Sequence, residues 1–239
     1  MKHSNEQKQV VILFGPPGAG KGTQAELLAE KLNLYYFETS KILEEKFKEA
    51  EDLPETQRII EEDGQKFDIL DEKTRWKEGK LCSPPFVSHL VAEKIKELFN
   101  EGKSLVIAGS PRTLYEAKKI IPILADLYGK EHIKVILINI SAETTIFRNS
   151  HRRICELMRH PILYNEETKN LTICPLDGSK LVRREGLDDP ETIKVRLKEY
   201  KERTFPVIEY FKENGFPVSE VNGEQTVADV FKDIMEEIK

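Results

Sequence analysis

The sequence predicts an α/β fold in which crossover helices connect the strands of a parallel sheet. Short apolar runs rich in β-branched residues alternate with stretches of helical periodicity. The runs are bounded by turn or polar residues, as strands buried in a parallel sheet are. The predicted strands are residues 10–14, 34–37, 104–108, 133–140 and 217–221.

Helical periodicity fills the stretches between these strands. After the first strand, one helix face carries Ala25, Leu28, Ala29 and Leu32. At the C-terminus, the same spacing is found for Val227, Val230, Phe231, Ile234 and Ile238. Pro190 opens a third helix, and Pro206 is expected to bend or break it.

Two segments depart from this alternation. Roughly residues 41–80 are charged and helix-prone, with a break near Asp63 and Gly64. Roughly residues 153–184 carry several proline, asparagine and glycine residues, which predict a loop-rich insertion with a small antiparallel hairpin. We expect both segments to be excursions from one core rather than separate domains.

The composition argues against several classes of protein. With 239 residues, 39% of them hydrophobic and 33% charged, the chain can bury the core of one large domain. A net charge of −5 argues against a nucleic-acid binder, and three scattered cysteines are too few for a disulfide framework. Residues 10–14, the longest apolar run near the polar leader, are too short for a membrane span or signal peptide. We therefore expect a cytoplasmic, monomeric protein that binds no membrane.

A glycine-rich segment, GPPGAGKGT at residues 15–23, lies between the first predicted strand and the first predicted helix. In this context a P-loop binds phosphate, because glycines let backbone N–H groups face the anion and the helix N-terminus adds positive potential. Lys21 would reach the β- and γ-phosphates. Gly22 replaces the usual hydroxyl residue, and Thr23 follows one position later. The alternative, a turn without a ligand, is disfavoured by the spacing.

A second segment, VIAGSPRT at residues 106–113, places an arginine just beyond a strand. Arg112 is expected at the carboxyl edge of the sheet, where α/β proteins bind their ligands. An arginine there predicts an anionic ligand. The strand ends in Ala108, so it offers no carboxylate to organise a metal ion.

At GPPGAGKGTQ the chain resembles adenylate kinases and their nucleoside monophosphate kinase relatives. Further segments resemble the family in the same order along nearly the whole chain. They are KLCSPPFVSHLV (80–91), AGSPRT (108–113), FRNSHRR (147–153), LVRRE with the following DD and VRLKEYKERTFPVIEYF (181–211), and VNGEQTVADVF (221–231). Each match is weak alone, but their order and spacing together identify the family.

The resemblance implies a fold and a reaction. The fold is a P-loop NTPase core with a five-stranded parallel sheet, formed by residues 1–40, 80–152 and 185–239. A helical acceptor-binding insertion at residues 41–79 (the first insertion) and a LID at residues 153–184 (the second insertion) would extend from it. The LID would close over the donor and exclude water. The implied reaction is reversible transfer of the ATP γ-phosphate, with Mg²⁺ as cofactor, to a nucleoside monophosphate, AMP by resemblance.

The resemblance also assigns residues. The catalytic cations around the phosphates would be Lys21, Arg112, Arg152, Arg184 and Arg196, with Arg153 assisting. ATP would be bound by Gly18, Ala19, Gly20, Lys21, Gly22, Thr23, Arg148, Arg152 and Gln225. The acceptor would be bound by Thr39, Glu44, Lys80, Leu81, Cys82, Gly109, Arg112 and Glu116. The alternative is that the arginines are solvated surface side chains.

An acidic pair, Asp188 and Asp189, follows the last of the second-insertion arginines. These carboxylates either orient Arg184 or Arg196, or they form a solvated acidic turn. The sequence leaves both interpretations open.

Two positions depart from the family pattern in charge. Ala108 stands where the family has an acid that holds Mg²⁺ through waters, so we expect weaker metal organisation and slower transfer. Glu44 stands where the family has an arginine for the acceptor phosphate. The candidates to offset its charge are Lys41, Arg58 and Arg75.

Glu116 stands where the family has a glutamine that reads adenine. An ionised carboxylate only accepts hydrogen bonds, so it would repel adenine N1 but accept from the amino group of cytosine or guanine. This favours GMP or CMP as the acceptor. The alternative is that Glu116 lies on an exposed helix face and reads nothing.

The second insertion carries CELM at residues 155–158 and CPLD at residues 174–177, where many bacterial relatives have a zinc site. Met158 replaces one thiolate. The remaining ligands would be Cys155, Cys174 and Asp177, with His160 as a candidate fourth. We expect a degenerate site without zinc. Two other functions stay open: a catalytically impaired nucleotide-binding module, and a phosphotransferase with a small-metabolite acceptor.

Overall fold

The structure is a computed structural model that describes residues 8–159, 161–184 and 188–239. Residues 1–7 of the polar leader, the zinc candidate His160 and residues 185–187 lie outside this part. The strands are β1 (Val10–Phe14), β2 (Tyr35–Glu38), β3 (Ile59–Glu62), β4 (Gln65–Asp68), β5 (Leu105–Ala108), β6 (Ile133–Asn139), β7 (Arg153–Cys155), β8 (Pro161–Ile162), β9 (Leu181–Val182) and β10 (Val218–Asn222). The α-helices are α1 (Lys21–Leu32), α2 (Thr39–Glu51), α3 (Ile69–Lys77), α4 (Pro84–Asn100), α5 (Leu114–Tyr128), α6 (Ala142–Ser150), α7 (Pro190–Glu199), α8 (Phe205–Glu213) and α9 (Val227–Glu237).

Five parallel strands form the central sheet of the described chain, in the order β10–β6–β1–β5–β2. The predicted α/β fold with a five-stranded parallel sheet is therefore confirmed. Each predicted strand lies within one residue of its expected bounds. The central strand β1 is buried along its whole length, which explains its unbroken apolar sequence.

Apolar side chains cover both faces of this sheet. Val10, Ile12 and Phe14 of β1 face one core, which α4, α5 and α8 complete, whereas Val11 and Leu13 face a second core against α1 and α9. The carboxyl ends of all five strands meet at one edge. The loops that follow β1 and β5 and the start of α2, which follows β2 directly, therefore come together there.

The first insertion differs from the expected helical excursion. Between α2 and α3 it contains an antiparallel hairpin of β3 and β4. The break expected near Asp63 and Gly64 is the hairpin turn, and both residues adopt positive φ angles of 50° and 72°. An Asp-Gly pair suits such a two-residue turn, because the strands' twist requires left-handed backbone at both positions.

The hairpin is attached to the core. Asp63 accepts hydrogen bonds from Lys119 Nζ, at 2.8 Å, and from the Tyr115 hydroxyl on α5. Glu62 lies 2.9 Å from His89 Nδ1 on α4. The first insertion is therefore joined to the core at its middle as well as at its two ends.

The helix expected after Pro190 is widened before Pro206. Residues Tyr200–Thr204 form a π-helical turn between α7 and α8. A proline has no N–H to donate and its ring crowds the preceding turn, so the i→i−4 ladder cannot run through Pro206 unchanged. The helical run continues through Pro206, but its hydrogen-bond pattern changes to a π-helical turn just before that residue.

The second insertion contains a three-stranded antiparallel sheet in the order β8–β7–β9. This confirms the hairpin expected there. Within the described residues, no helix combines the length and apolar character that a membrane span requires.

Phe211 of α8 tests the importance of the first core. Its side chain is 0% exposed and its ring packs edge-on against Phe14 and Phe216, with centroids 5.5 Å apart in each pair. We expect Phe211→Ala to lower the free energy of unfolding by about 3–5 kcal/mol, because a large buried ring leaves a cavity.

The matched control is Phe205→Ala at the start of the same helix, where the ring is 52% exposed. We expect that variant to change the free energy of unfolding, measured by urea denaturation, by about 0.5 kcal/mol or less. Equal losses in the two variants would contradict the assignment of Phe211 to the core.

Candidate active site

The glycine-rich loop lies between β1 and α1, as the sequence predicts. Gly20, the residue before α1, has φ 90° and ψ 11°, a left-handed conformation that glycine adopts without strain. Gly18 has φ 86°, and a Cβ there would lie 2.7 Å from Asn149 Nδ2. These two glycines let the loop turn closely, with the start of α1 directed at the carboxyl edge of the sheet.

Lys21 folds back over this loop. Its Nζ donates to the carbonyl oxygens of Gly15, at 2.7 Å, and Pro16, at 2.9 Å. Burial lowers the pKa of Lys21 well below its ordinary value, and the nearby guanidinium groups of Arg112, Arg196 and Arg152 lower it further. A polyanionic ligand would stabilise these converging charges.

Three of the predicted arginines, Arg112, Arg184 and Arg196, line one cavity of about 170 Å³ together with Lys21. Arg152 is not part of this lining but lies close to Arg184 and Arg196. Burial, together with Arg184, Arg152 and Arg112, lowers the pKa of Arg196 to about 9. Burial and Arg184 lower the pKa of Arg152 to about 10. Scattered solvated arginines would not affect one another in this way, so the alternative of surface side chains is wrong for this set.

Asp188 orients one of these arginines. It is 2% exposed and its carboxylate accepts from Arg184 Nη2 at 2.7 Å and Nε at 3.2 Å. Asp189 instead caps α7 by accepting from the backbone N–H of Thr192 at 2.9 Å. The two acids therefore have different partners. The solvated acidic turn considered from the sequence is wrong for Asp188, which is buried, whereas Asp189 is exposed.

Arg153 does not join the cavity. Its two guanidinium nitrogens donate to the carbonyl oxygens of Leu171 and Thr168 within the second insertion. The expectation that Arg153 assists at the phosphates is therefore wrong, because its donors are used to hold the insertion together.

Arg148 links the glycine-rich loop to the last strand–helix turn. Its Nη1 donates to the Gly18 carbonyl at 3.3 Å and its Nη2 donates to the Gly223 carbonyl at 2.9 Å. Gln225 in the same turn donates to Asn222 O and to the Asp233 carboxylate. The guanidinium plane of Arg148 thus lies between two loops at the cavity side of the sheet.

A second, smaller cavity of about 30 Å³ adjoins the first. Most of the predicted acceptor residues line it, namely Thr39, Lys80, Leu81, Cys82, Gly109, Arg112 and Glu116. The Thr39 hydroxyl is buried there without a hydrogen-bond partner in the described chain. Since buried polar atoms are nearly always satisfied, this hydroxyl points to a ligand group.

Arg112 lies where the two cavities meet, because it lines both of them. It follows a cis Ser110–Pro111 bond, and its carbonyl accepts from the Thr204 hydroxyl at 2.9 Å. Glu44 lies in the wall of the larger cavity. The candidate acceptor residues thus line the two cavities that meet at Arg112.

Glu116 is buried at 2% exposure, so the exposed helix face considered from the sequence is wrong. One carboxylate oxygen accepts from the Arg112 backbone N–H at 2.9 Å and the Ser110 hydroxyl at 3.2 Å, and the other accepts from the Thr113 hydroxyl at 3.0 Å. Burial raises the pKa of Glu116, while these donors oppose that rise. The carboxylate therefore holds the turn that carries Arg112.

Two residues at the site were not predicted from the sequence. Glu72 is buried and accepts from the backbone N–H of Ser83 at 2.6 Å and its hydroxyl at 2.5 Å, which fixes the segment carrying Leu81. Arg159 of the second insertion also lines the larger cavity. Neither belongs to a motif with fixed spacing, so only the folded chain reveals them.

The adenylate kinase family model matches residues 13–216. The chain belongs to the adenylate kinase family. It is 32% identical to an adenylate kinase of Petrotoga mobilis over 94% of each chain. It is 33% identical to one of Caldicellulosiruptor saccharolyticus over 94% of this chain and 96% of the other, and 31% identical to one of Mycoplasma mycoides over 96% and 99%. The resemblance seen in the sequence is confirmed: the protein is a phosphotransferase, a nucleoside monophosphate kinase.

Family membership raises the question of Mg²⁺, and the described residues that line the larger cavity form no site for it by themselves. Ala108 ends β5 without a carboxylate. The carboxylates that line the larger cavity each have a cation within reach: Glu38 has Lys41 at 3.1 Å, Glu44 has Arg159 at 3.4 Å and Glu199 has Arg203 at 3.0 Å. A hard cation there would depend on oxygen ligands from a nucleotide and water.

Three of the zinc candidates do come together. The ligand atoms of Cys155, Cys174 and Asp177 lie within 4.8 Å of one another. Met158, at the position of the missing thiolate, is 62% exposed and offers no charge. A structural zinc site uses four ligands, so the described residues supply one fewer than such a site requires.

The neighbouring acids Asp188 and Asp189 give a matched test of the site. We expect Asp188→Asn to lower kcat about tenfold, because Arg184 loses a charge-assisted hydrogen-bond pair worth about 1.5–3 kcal/mol. Asp189→Asn should leave kcat within about twofold, because asparagine caps a helix as well as aspartate does. Steady-state kinetics measures both values.

Equal losses in the two variants, with equal losses of stability, would mean that the acidic pair acts through folding. In that case Asp188 would have no specific role in orienting Arg184.

Proposed function

We propose that this nucleoside monophosphate kinase transfers the γ-phosphate of ATP to AMP, reversibly. The observation that carries the proposal is the position of Arg112, which lines both the cation-rich cavity beside Lys21 and the small cavity beside Thr39. A phosphoryl group in transit between two nucleotides needs positive charge from both sides. The relatives named above are adenylate kinases, which supports AMP as the acceptor.

The proposed donor site is the larger cavity with its loop. Backbone N–H groups from Gly18 to Thr23 and the start of α1 would bind the ATP phosphates. Lys21, Arg152, Arg184 and Arg196 would stabilise the charge that develops on the transferred group. Arg148, held between Gly18 and Gly223, would stack on the donor base near Gln225.

The proposed acceptor site is the smaller cavity, with its opening into the larger one. The buried Thr39 hydroxyl, which has no hydrogen-bond partner in the described chain, would donate a hydrogen bond to the acceptor. Arg112 would bind the acceptor phosphate. Lys80, Leu81, Cys82 and Gly109 would form the surrounding walls. In this proposal the first insertion binds the acceptor and the second insertion covers the donor, so that closure keeps water from the phosphoryl group.

The state of Glu116 supports AMP over GMP or CMP. The preference for GMP or CMP required a carboxylate that accepts from a base. Both oxygens of Glu116 already accept hydrogen bonds from residues 110–113, which uses much of that capacity. We therefore propose that Glu116 shapes the turn under the acceptor rather than selecting its base.

Magnesium would arrive with ATP. When bound with the nucleotide, Mg²⁺ would offset part of the phosphate charge. The chain's own cations, Lys21 and the four arginines, hold the phosphates from the protein side. The cytoplasmic location and monomeric state expected from the sequence stay predictions, as does the division into core and insertions.

The acceptor is tested by a coupled assay with ATP, Mg²⁺ and AMP, GMP, CMP, UMP or dTMP in turn. We expect turnover with AMP to exceed that with every other monophosphate. Lys21→Ala serves as the control and should lose at least about 100-fold in kcat, because it removes transition-state charge stabilisation. Turnover with GMP or CMP alone would refute the AMP proposal and return Glu116 to the role of base reader.

Ala108 tests the account of the metal. We expect Ala108→Asp to raise kcat about tenfold and to lower the Mg²⁺ concentration needed for half-maximal rate, because an outer-sphere carboxylate orients the hydrated ion. Ala108→Asn, which has the same shape without the charge, is the control and should stay near the wild-type rate. An Asp variant no faster than the Asn variant would contradict this account.

A further inference from the structure

The wall of the larger cavity contains a carboxylate whose charge must be offset by a cation if a phosphate binds there. Glu44 of α2 lines the same cavity as Lys21, Arg112, Arg184 and Arg196. Burial raises its pKa, and the charge that opposes this rise most strongly is Arg159. A carboxylate next to a phosphate is repulsive unless a cation stands with it.

The cations considered from the sequence have other partners. Lys41 pairs with Glu38 at 3.1 Å, Arg58 with Asp68 at 3.6 Å and Arg75 with Glu72 at 3.9 Å. The cation beside Glu44 is Arg159, whose Nη1 lies 3.4 Å from Glu44 Oε2. These two residues belong to different insertions, so the ion pair joins the two insertions beside the larger cavity.

The backbone of Arg159 has an unusual conformation. Its φ is +60°, in the left-handed region that arginine rarely adopts. The turn is closed by a hydrogen bond from Arg159 N to the Cys155 carbonyl at 3.0 Å. Strained conformations of this kind persist where the surrounding structure imposes them, most often at functional sites.

We propose that Arg159 binds the acceptor phosphate and that Glu44 is the positioning residue that holds it there. Glu44 faces one end of the guanidinium, and the fork of five N–H donors leaves further donors for a phosphate. The acceptor site is then completed by the second insertion, not by the first insertion alone. This inference rests on the proposed function, since it needs a monophosphate in the smaller cavity whose phosphate lies at the opening into the larger cavity, which Glu44 and Arg159 line.

The rival interpretation is that Glu44 does not position Arg159 and only repels the acceptor phosphate. The two interpretations differ in sign at Glu44. If Glu44 only repels phosphate, Glu44→Gln should lower the KM for the acceptor. If Glu44 positions Arg159, the same change should raise it, although it removes a negative charge from a phosphate site.

The test measures KM for AMP and for ATP separately, in the wild type and in Arg159→Ala, Arg159→Lys and Glu44→Gln. We expect Arg159→Ala to raise the KM for AMP about ten- to a hundredfold, the loss of one charge-assisted phosphate contact, with the KM for ATP within about twofold of wild type. The KM for AMP of Arg159→Lys should lie between those of the wild type and Arg159→Ala, since lysine keeps the charge but not the planar set of donors. Glu44→Gln should raise the KM for AMP about threefold or more, as Arg159 loses its partner.

Arg183→Ala is the matched control, because Arg183 is an exposed arginine of the same insertion. It should leave both KM values unchanged. Calorimetric titration of AMP into the same variants checks the result without turnover, and the Kd for AMP should shift in the same order.

The outcomes separate the two proposals. A wild-type protein that neither binds nor phosphorylates AMP would sink the proposed function and this inference with it. AMP turnover with an unchanged KM for AMP in Arg159→Ala would overturn the inference alone. Equal rises in both KM values, or a lower KM for AMP in Glu44→Gln, would also overturn it.

Discussion

The concentration of positive charge at the carboxyl edge of the sheet is the constraint on which the rest of the structure depends. Burial lowers the pKa values of Lys21, Arg112, Arg152 and Arg196. Repulsion from neighbouring guanidinium groups lowers the pKa values of Lys21, Arg152 and Arg196 further. Such an arrangement is unfavourable without an anion, so a rigid scaffold must maintain it. The buried parallel sheet supplies that scaffold: Lys21 follows β1 and Arg112 follows β5 at its carboxyl edge, while Arg152 follows α6 and Arg196 lies on α7.

Buried carboxylates stabilise this arrangement without neutralising the site. Asp188 fixes the guanidinium of Arg184, and Glu116 fixes the backbone of the turn that carries Arg112. Glu72 does the same for the segment that follows the first insertion. Arg112 and Arg184 still line the larger cavity.

The sequence predicts the sheet and the glycine-rich loop well, because both depend on local patterns. An apolar strand such as β1 shows its burial in its own residues, and a P-loop has fixed spacing. Glu116 shows the limit: its position along the chain suggested a base reader, whereas its hydrogen bonds are set by the turn at residues 110–113. Arg159 and the hairpin anchored at Asp63 depend on contacts between distant segments, which no local pattern encodes.

The anchored hairpin has a thermodynamic consequence for ligand recognition. Because Asp63 and Glu62 join the first insertion to α5 and α4, much of the ordering of that insertion accompanies folding rather than binding. A ligand entering beside Thr39 meets walls that have already lost their conformational entropy, so less of its contact energy is used to immobilise the protein. Affinity at such a preorganised pocket is set mainly by complementarity, which favours discrimination between ligands of similar size.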